Sequence, residues 1–321
     1  MPALVILDHT KQIKYITQYD YTNQINCMSS TRDSLAALSF PQRQRLQYIE
    51  SVALWEGSIA RQRVCDLFDV SPNHITKDLR LYRDLLPHNL DYDPSSRTWR
   101  PSTRFRPAIS SGSPDEYLGL LRLGLEASGV VGVPALEEGV PVAAVAAPRW
   151  PADAKPLRYV TRAAREGTGV WVRYQSMSSP QPEERILWPH ALVYAGFRWH
   201  VRAYDERHQR FGDFVLSRIC EAAPRDVVPP VPADEDAAWT TQQRAEVIPN
   251  TRLTKAQQAA IAREYGMTKT SHGWSWIVTM RQCLVPYFLY WHRLDNPQAG
   301  ARVIVRNLAD LKPYAFADLD D

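Results

Sequence analysis

Between Tyr174 and Arg218 the sequence gathers side chains suited to holding an anion or a hydrogen-bonding ligand. They are Tyr174, Ser176, Ser178, Arg185, His190, His200, Arg202, Tyr204 and Arg218. Arginine offers a planar fork for phosphate, serine and tyrosine offer adjustable donors, and histidine works charged or neutral. Catalytic arrangements are missing from the chain, which has no G-x-S-x-G, H-E-x-x-H, Walker or G-x-G-x-x-G motif. His190 and His200 lack a third ligand at a spacing that zinc would need. The expected chemistry is binding, with no catalytic residue, metal or cofactor. A second reading stays open: a solvated outer face whose arginines pair with Glu183, Glu184, Asp205 and Glu206.

The elements that must position these groups are short strands. Val170–Gln175, Arg185–Tyr194, Phe197–Tyr204 and Phe214–Ile219 alternate apolar and polar residues, which predicts strands buried on one face. Ser178–Pro182, Ala195-Gly196 and Asp205–Gly212 supply turn-forming breaks. The period of two puts Trp199, Val201 and Ala203 on one side and His200, Arg202 and Tyr204 on the other. A small, strongly bent antiparallel sheet or barrel is expected.

These residues resemble a known family. Tyr174-x-Ser176-x-Ser178, Arg185 with Pro189–Tyr194, Gly196–Tyr204 and Phe214–Ile219 look like a WYL domain. The naming tripeptide is Trp199-His200-Val201 here, a departure at its second and third positions. That form resembles the stand-alone repressors of bacterial anti-phage operons, the BrxR/CapW type. The resemblance implies an SH3-like or Sm-like β-barrel that senses a nucleotide or nucleic-acid fragment and signals to a DNA-binding domain. Farther on, PNTRLT, REYGM and YFLYWHRLD resemble the C-terminal extension of the same regulators, which implies dimerisation.

A DNA-reading element is legible independently. Pro41 opens a helix with Leu46, Ile49 and Ala53 on one face, and Gly57-Ser58 is expected to end it and cap a second helix holding Ile59, Val64, Leu67 and Phe68. Ser71-Pro72 signals a third helix as cap and first residue. On it Ile75, Leu79, Tyr82 and Leu86 share the core face, while Asn73, His74, Thr76, Lys77, Arg80 and Arg83 are expected outward. This is the pattern of a helix-turn-helix, with side chains able to read base edges and hold phosphates. Leu90–Asp93 and Thr98–Pro101 around a Pro-Ser-Ser turn predict a wing, whose Arg97, Arg100, Arg104 and Arg106 could meet phosphate or a minor groove. A polar surface helix and solvated wing arginines are the blander alternative.

The 321 residues, 45% hydrophobic and 23% charged with a net charge of +3, suit two or three domains. Four dispersed cysteines and the lack of any long apolar run point to a reducing cytoplasm. The expected organisation is α+β and multidomain. A leader covers 1–38, of which 1–27 reads as an extension upstream of Met28. A winged helix-turn-helix covers 39–107, and a helix (114–128) and Pro/Ala/Val-rich connector 108–156. The WYL barrel covers 157–223, a linker 224–244, and a small α+β dimerisation module 245–321, including an apolar helix Cys283–His292. The expected function is a homodimeric repressor of an anti-phage operon, binding a palindromic double-stranded operator under control of a nucleotide or nucleic-acid effector, through a changed spacing of the two winged helices across the connector. An activator of the same architecture and an accessory protein for RNA or single-stranded DNA are the alternatives.

Overall fold

The computed structural model describes residues 5–7, 13–15, 35, 37–127, 139–145, 148, 153–296 and 300–316. Most of the expected leader, and residues 128–138, 146–147 and 149–152 of the expected connector, lie outside these residues. Within the leader, β1 (Val5–Leu7) pairs antiparallel with β2 (Ile13–Tyr15), in a stretch whose sequence shows no periodicity. Two units, residues 1–146 and 147–321, are described in turn.

In the first unit α1 (Phe40–Glu56) starts with proline in its first turn and ends at Gly57, whose φ of 80° suits a residue without a side chain. The expected capping of the next helix by Ser58 does not occur. The chain instead makes β3 (Ile59–Ala60) before α2 (Arg61–Phe68), so Ile59 is a strand residue pairing with Trp99. Asp69 turns the chain at a φ of 49° into α3 (Pro72–Leu85). Ser71 holds the cap position, but its hydroxyl lies 3.3 Å from His74 Nδ1 rather than on a backbone N–H. The wing forms as expected, with β4 (Leu90–Asp93) and β5 (Thr98–Pro101) in a sheet ordered β3-β5-β4.

Leu46, Ile49, Val52, Val64, Ile75, Leu79 and Tyr82 make the core. Beside them Glu50 is fully buried yet satisfied, because it accepts from Tyr82 Oη and from the backbone N–H groups of Ala108, Ile109 and Ser110. The helix expected in the connector, α4 (Pro114–Ala127), packs on α1. There Gln47 donates to Glu116, Tyr117 Oη donates to Glu56, and the Tyr117 ring stacks on Trp55.

The second unit opens with α5 (Ala154–Glu166), capped by Asp153 and ended by Gly167. Its Val160 and Ala163 lie against a five-stranded antiparallel sheet of β6 (Gly169–Tyr174), β7 (Glu183–Ala195), β8 (Arg198–Asp205), β9 (Arg210–Val215) and β10 (Ile219–Arg225). The four expected runs become five strands because a 3-10 turn at Leu216–Arg218 divides the last one. The order is β10-β6-β7-β8-β9, so the final strand returns beside the first, and β9 and β10 are its edges.

The expectation of one open polar face is wrong. From His200 to Asp205 every residue of β8 is buried. Val201 and Ala203 face the α5 side, whereas His200 meets Tyr287 and Arg202 meets Asp236. The expected linker is itself folded there: α6 (Ala237–Thr240) is capped by the Asp236 side chain and leads into β11 (Gln242–Pro249).

The C-terminal module adds α7 (Lys255–Glu264) with a Thr254/Gln257 capping box, β12 (Thr268–Thr270), β13 (Gly273–Arg281), α8 (Val285–Trp291), β14 (Val303–Val305) and α9 (Leu308–Leu311). Its sheet is ordered β12-β13-β11-β14. The apolar helix is shorter than Cys283–His292, since Pro286 sits best in a first turn and Cys283 falls in a 3-10 turn.

Candidate functional site

The reading helix α3 is divided as its spacing requires. Ile75, Leu79 and Tyr82 are buried, and Asn73, His74, Thr76, Lys77, Arg80 and Arg83 are exposed. Its inner face also carries Asp78, buried and held by Arg45 Nε at 2.6 Å and Gln42 Nε2 at 2.8 Å. That ion pair fixes α3 on α1. Among the described residues Lys77 and Arg80 have no ion pair or side-chain hydrogen bond, so both are available to a ligand.

Thr76 is less free than its sequence position suggests. Its hydroxyl donates to Pro72 O at 2.8 Å and accepts from Arg61 Nη1 at 3.0 Å, which brings Arg61 onto the same face. Sequence reasoning missed Arg61 because it belongs to a different helix. Arg83 lies 5.6 Å from the Trp99 ring, a cation–π contact that joins helix to wing.

At the wing tip the Asp93 carboxylate accepts from Ser95 and Ser96, hydrogen bonds that hold its carboxyl well below the usual carboxylate range. Arg97 turns the chain with a φ of 56°, and Arg100 pairs with Asp93 at 3.0 Å. Arg97, Arg104 and Arg106 are exposed, with no ion pair among the described residues.

The nine residues expected to hold a ligand do not form one open cluster. Arg185 is buried and already paired, with Nη1 2.7 Å from Asp205 and Nη2 3.2 Å from Glu183. It lies 5.7 Å from the Tyr174 ring, whose hydroxyl accepts from Val215 N. At this arginine the alternative reading, pairing with Asp205 and Glu183, is the one observed. Ser176 and Ser178 sit in the loop after β6 with their hydroxyls 3.3 Å apart. Arg218, half-buried in the 3-10 turn, has no side-chain partner among the described residues.

A second group converges on Asp236. Arg202 donates through Nε to Oδ2 at 2.7 Å and through Nη2 to Oδ1 at 2.8 Å, and its Nη1 reaches Asp213 at 3.2 Å. His190 Nε2 lies 3.0 Å from Asp236 Oδ2, and since a carboxylate only accepts, this nitrogen carries the proton. Burial pulls the Arg202 pKa down, but Asp236 and Asp213 outweigh it and the net direction is up. Burial also pushes Asp236 up, and Arg202 with His190 reverses that, holding it ionised below its ordinary value.

A bulge explains how His190 reaches this group. Pro189 pairs with Ala203 and Ala191 with Arg202, leaving His190 as the extra residue of β7. Pro189 has no N–H to give the ladder, a reason for the bulge to form here.

His200 is buried with Nδ1 lacking a hydrogen-bond partner among the described residues, and its ring lies 5.0 Å from Tyr287. Burial lowers the pKa of both His190 and His200. Tyr204 contributes its ring, against Trp188 and Phe211, rather than a polar contact. Asp213, Asp236 and Tyr287 were missed from the sequence; Asp236 lies in the stretch expected to be a linker. Among the described residues no group of three or more His, Cys, Asp or Glu could hold a metal ion.

Three family models match the chain. They are the BrxR transcriptional regulator winged helix-turn-helix domain over 41–123, the WYL domain over 156–224, and the BrxR transcriptional regulator C-terminal dimerization domain over 243–311. A protein of Pseudomonas aeruginosa named DNA-binding transcriptional repressor CapW is 35% identical over 271 residues, covering 84% of this chain and 88% of that one. The chain belongs to the BrxR/CapW family of WYL-domain transcriptional regulators. Other CapW repressors of this family agree. That of Escherichia coli is 35% identical, covering 80% of this chain and 85% of its own length. That of Stenotrophomonas maltophilia is 32% identical, covering 87% of this chain and 94% of its own. The expected resemblance is borne out, and the family's winged helix, WYL and C-terminal domains make this a mixed α/β chain.

Proposed function

We propose that this chain is a DNA-binding transcriptional repressor, of an anti-phage defence operon, that acts as a homodimer on a palindromic operator in the cytoplasm. The observation that carries the reading is the outer face of α3. Lys77 and Arg80, unpaired among the described residues, stand beside Asn73 on a helix whose inner face is locked by Asp78, so the ability to read DNA is preorganised. Arg97, Arg100 and Arg104 on and after the wing supply phosphate contacts. Two-fold pairing through the C-terminal module gives two such helices and hence a two-fold site.

The WYL sheet is the seat of control, by a nucleotide or nucleic-acid effector and without catalysis. Its strand order, with the last strand beside the first and a 3-10 turn before it, supports an SH3-like barrel. Arg218, Ser176 and Ser178 are the reachable part of the effector set, with Tyr174, Arg185, His190, His200, Arg202 and Tyr204 behind them. Domain limits of 39–107, 157–223 and 245–321 accompany this reading.

The test is a mobility shift with DNA from upstream of the protein's own coding region, against random duplex of equal length. A repressor of this kind prefers its site by a factor of about 10³ or more at physiological salt. Equal binding to both duplexes would reject the reading. A reporter in a deletion strain separates repression from activation, because transcription must rise when a repressor is lost.

A further inference from the structure

Asp236 differs from the other acids that meet the basic sheet in where it comes from. Arg185 pairs through its two terminal nitrogens with Asp205 and Glu183, both on the sheet's own strands. Arg202 takes its main partner from the segment between the sheet and the C-terminal module. Asp236, 1% exposed as a residue, accepts through its carboxylate two parallel bonds from the guanidinium fork and one from His190. A guanidinium fork with an imidazole beside it is also how a protein grips a phosphate or carboxylate ligand.

We infer that Asp236 is an internal stand-in for the effector: its carboxylate fills the anion position of the sheet in the free protein and gives way to the effector's anionic group on binding. This rests on the effector reading above. Two features favour exchange over a fixed structural pair. Asp236 is the one buried residue from Pro232 to Thr240, and besides it only the Trp239 ring, 5.4 Å from that of His190, is seen to join the segment to the sheet among the described residues. Departure without replacement would leave Arg202 buried with Asp213 alone, which is strongly unfavourable, and an incoming anion removes that penalty.

The segment is also wired to the C-terminal sheet. Trp239 stacks 4.1 Å from the Arg281 guanidinium, Gln282 N donates to Thr241 O, and Gln242 pairs with Arg281 at the start of β11. Releasing Asp236 therefore frees the residues that lead into β11, which stays paired between β13 and β14.

The test uses the full chain and a 5′-phosphorylated thymidine dinucleotide in isothermal titration. Asp236→Asn keeps the shape and removes the charge, so it is expected to bind about tenfold more tightly than the unaltered chain, because less of the protein is latched. Hydrogen exchange on the unaltered chain gives a reading that needs no variant: residues 233–241 should exchange faster with the dinucleotide bound. Equal or weaker binding by Asp236→Asn, with unchanged exchange at 233–241 and binding lost in Arg218→Ala, would overturn the stand-in and keep the sheet as a site. Binding by neither chain would overturn both.

Discussion

The Tyr82 hydroxyl donates to Glu50 Oε1 at 2.7 Å, so the reading helix is moored to α1 through a carboxylate fully withdrawn from water. The same carboxylate holds the backbone of 108–110, three segments tied at one point. Tyr82→Phe removes one of its donors and is expected to cost about 1–2 kcal/mol. Glu50→Ala strands several donors at once and is expected to cost about 3–5 kcal/mol. Urea denaturation of the full chain checks both, and a Glu50→Ala chain as stable as the parent would refute the mooring.

Lys77→Ala and Arg80→Ala remove cations that have no partner among the described residues, so stability should change by less than about 0.5 kcal/mol. Affinity for the upstream duplex should fall by about 1–3 kcal/mol for a lost base contact, or with a shallower salt dependence for a lost phosphate contact. Titrations at several salt concentrations distinguish these outcomes. Unchanged affinity in both variants would place DNA elsewhere.

Gly196 turns the β7–β8 hairpin at a φ of 66°, and a Cβ built there would lie 1.7 Å from Trp291. Gly196→Ala combines backbone strain with a clash against a large ring and is expected to cost about 2 kcal/mol or more. A thermal melt should register this as a lower Tm. No loss would mean that the hairpin and α8 separate readily.

His190 and His200 are held below their ordinary pKa by burial, so the folded chain prefers them neutral. The unfolded chain then binds more protons, and stability must rise with pH through the histidine range. Their contribution is complete above about pH 6.5 and falls as the medium is acidified below it. Denaturation midpoints at about pH 7 and about pH 5.5 should show the drop, and His200→Gln should flatten it. An identical slope in that variant would assign the effect to other groups.

What the sequence made legible was local. Ile75, Leu79 and Tyr82 recur at helical spacing, and Leu90–Asp93 and Thr98–Pro101 flank a turn, so α3 and the wing follow from neighbours along the chain. The alternation in β8 was equally plain, yet it predicted an open polar face. Alternation records only that two faces differ, and a face of His200 and Arg202 can be closed by Asp236 and Tyr287, which lie far away in sequence. His190 was placed on its strand without the bulge that turns it toward Asp236. Arg185 illustrates the same limit from the other side: its residue type suits an incoming anion, and only the distance to Asp205 shows that the chain supplies one.

The rim of the C-terminal sheet has its own consequence. Strand β12 is three exposed residues, Thr268–Thr270, with Lys269 at its centre near the Trp274 ring. A border so short and charged offers a neighbouring molecule too few backbone groups to zip onto. Side-by-side polymerisation along that rim is discouraged at the outset, which helps keep the molecule from growing into filaments when its concentration climbs.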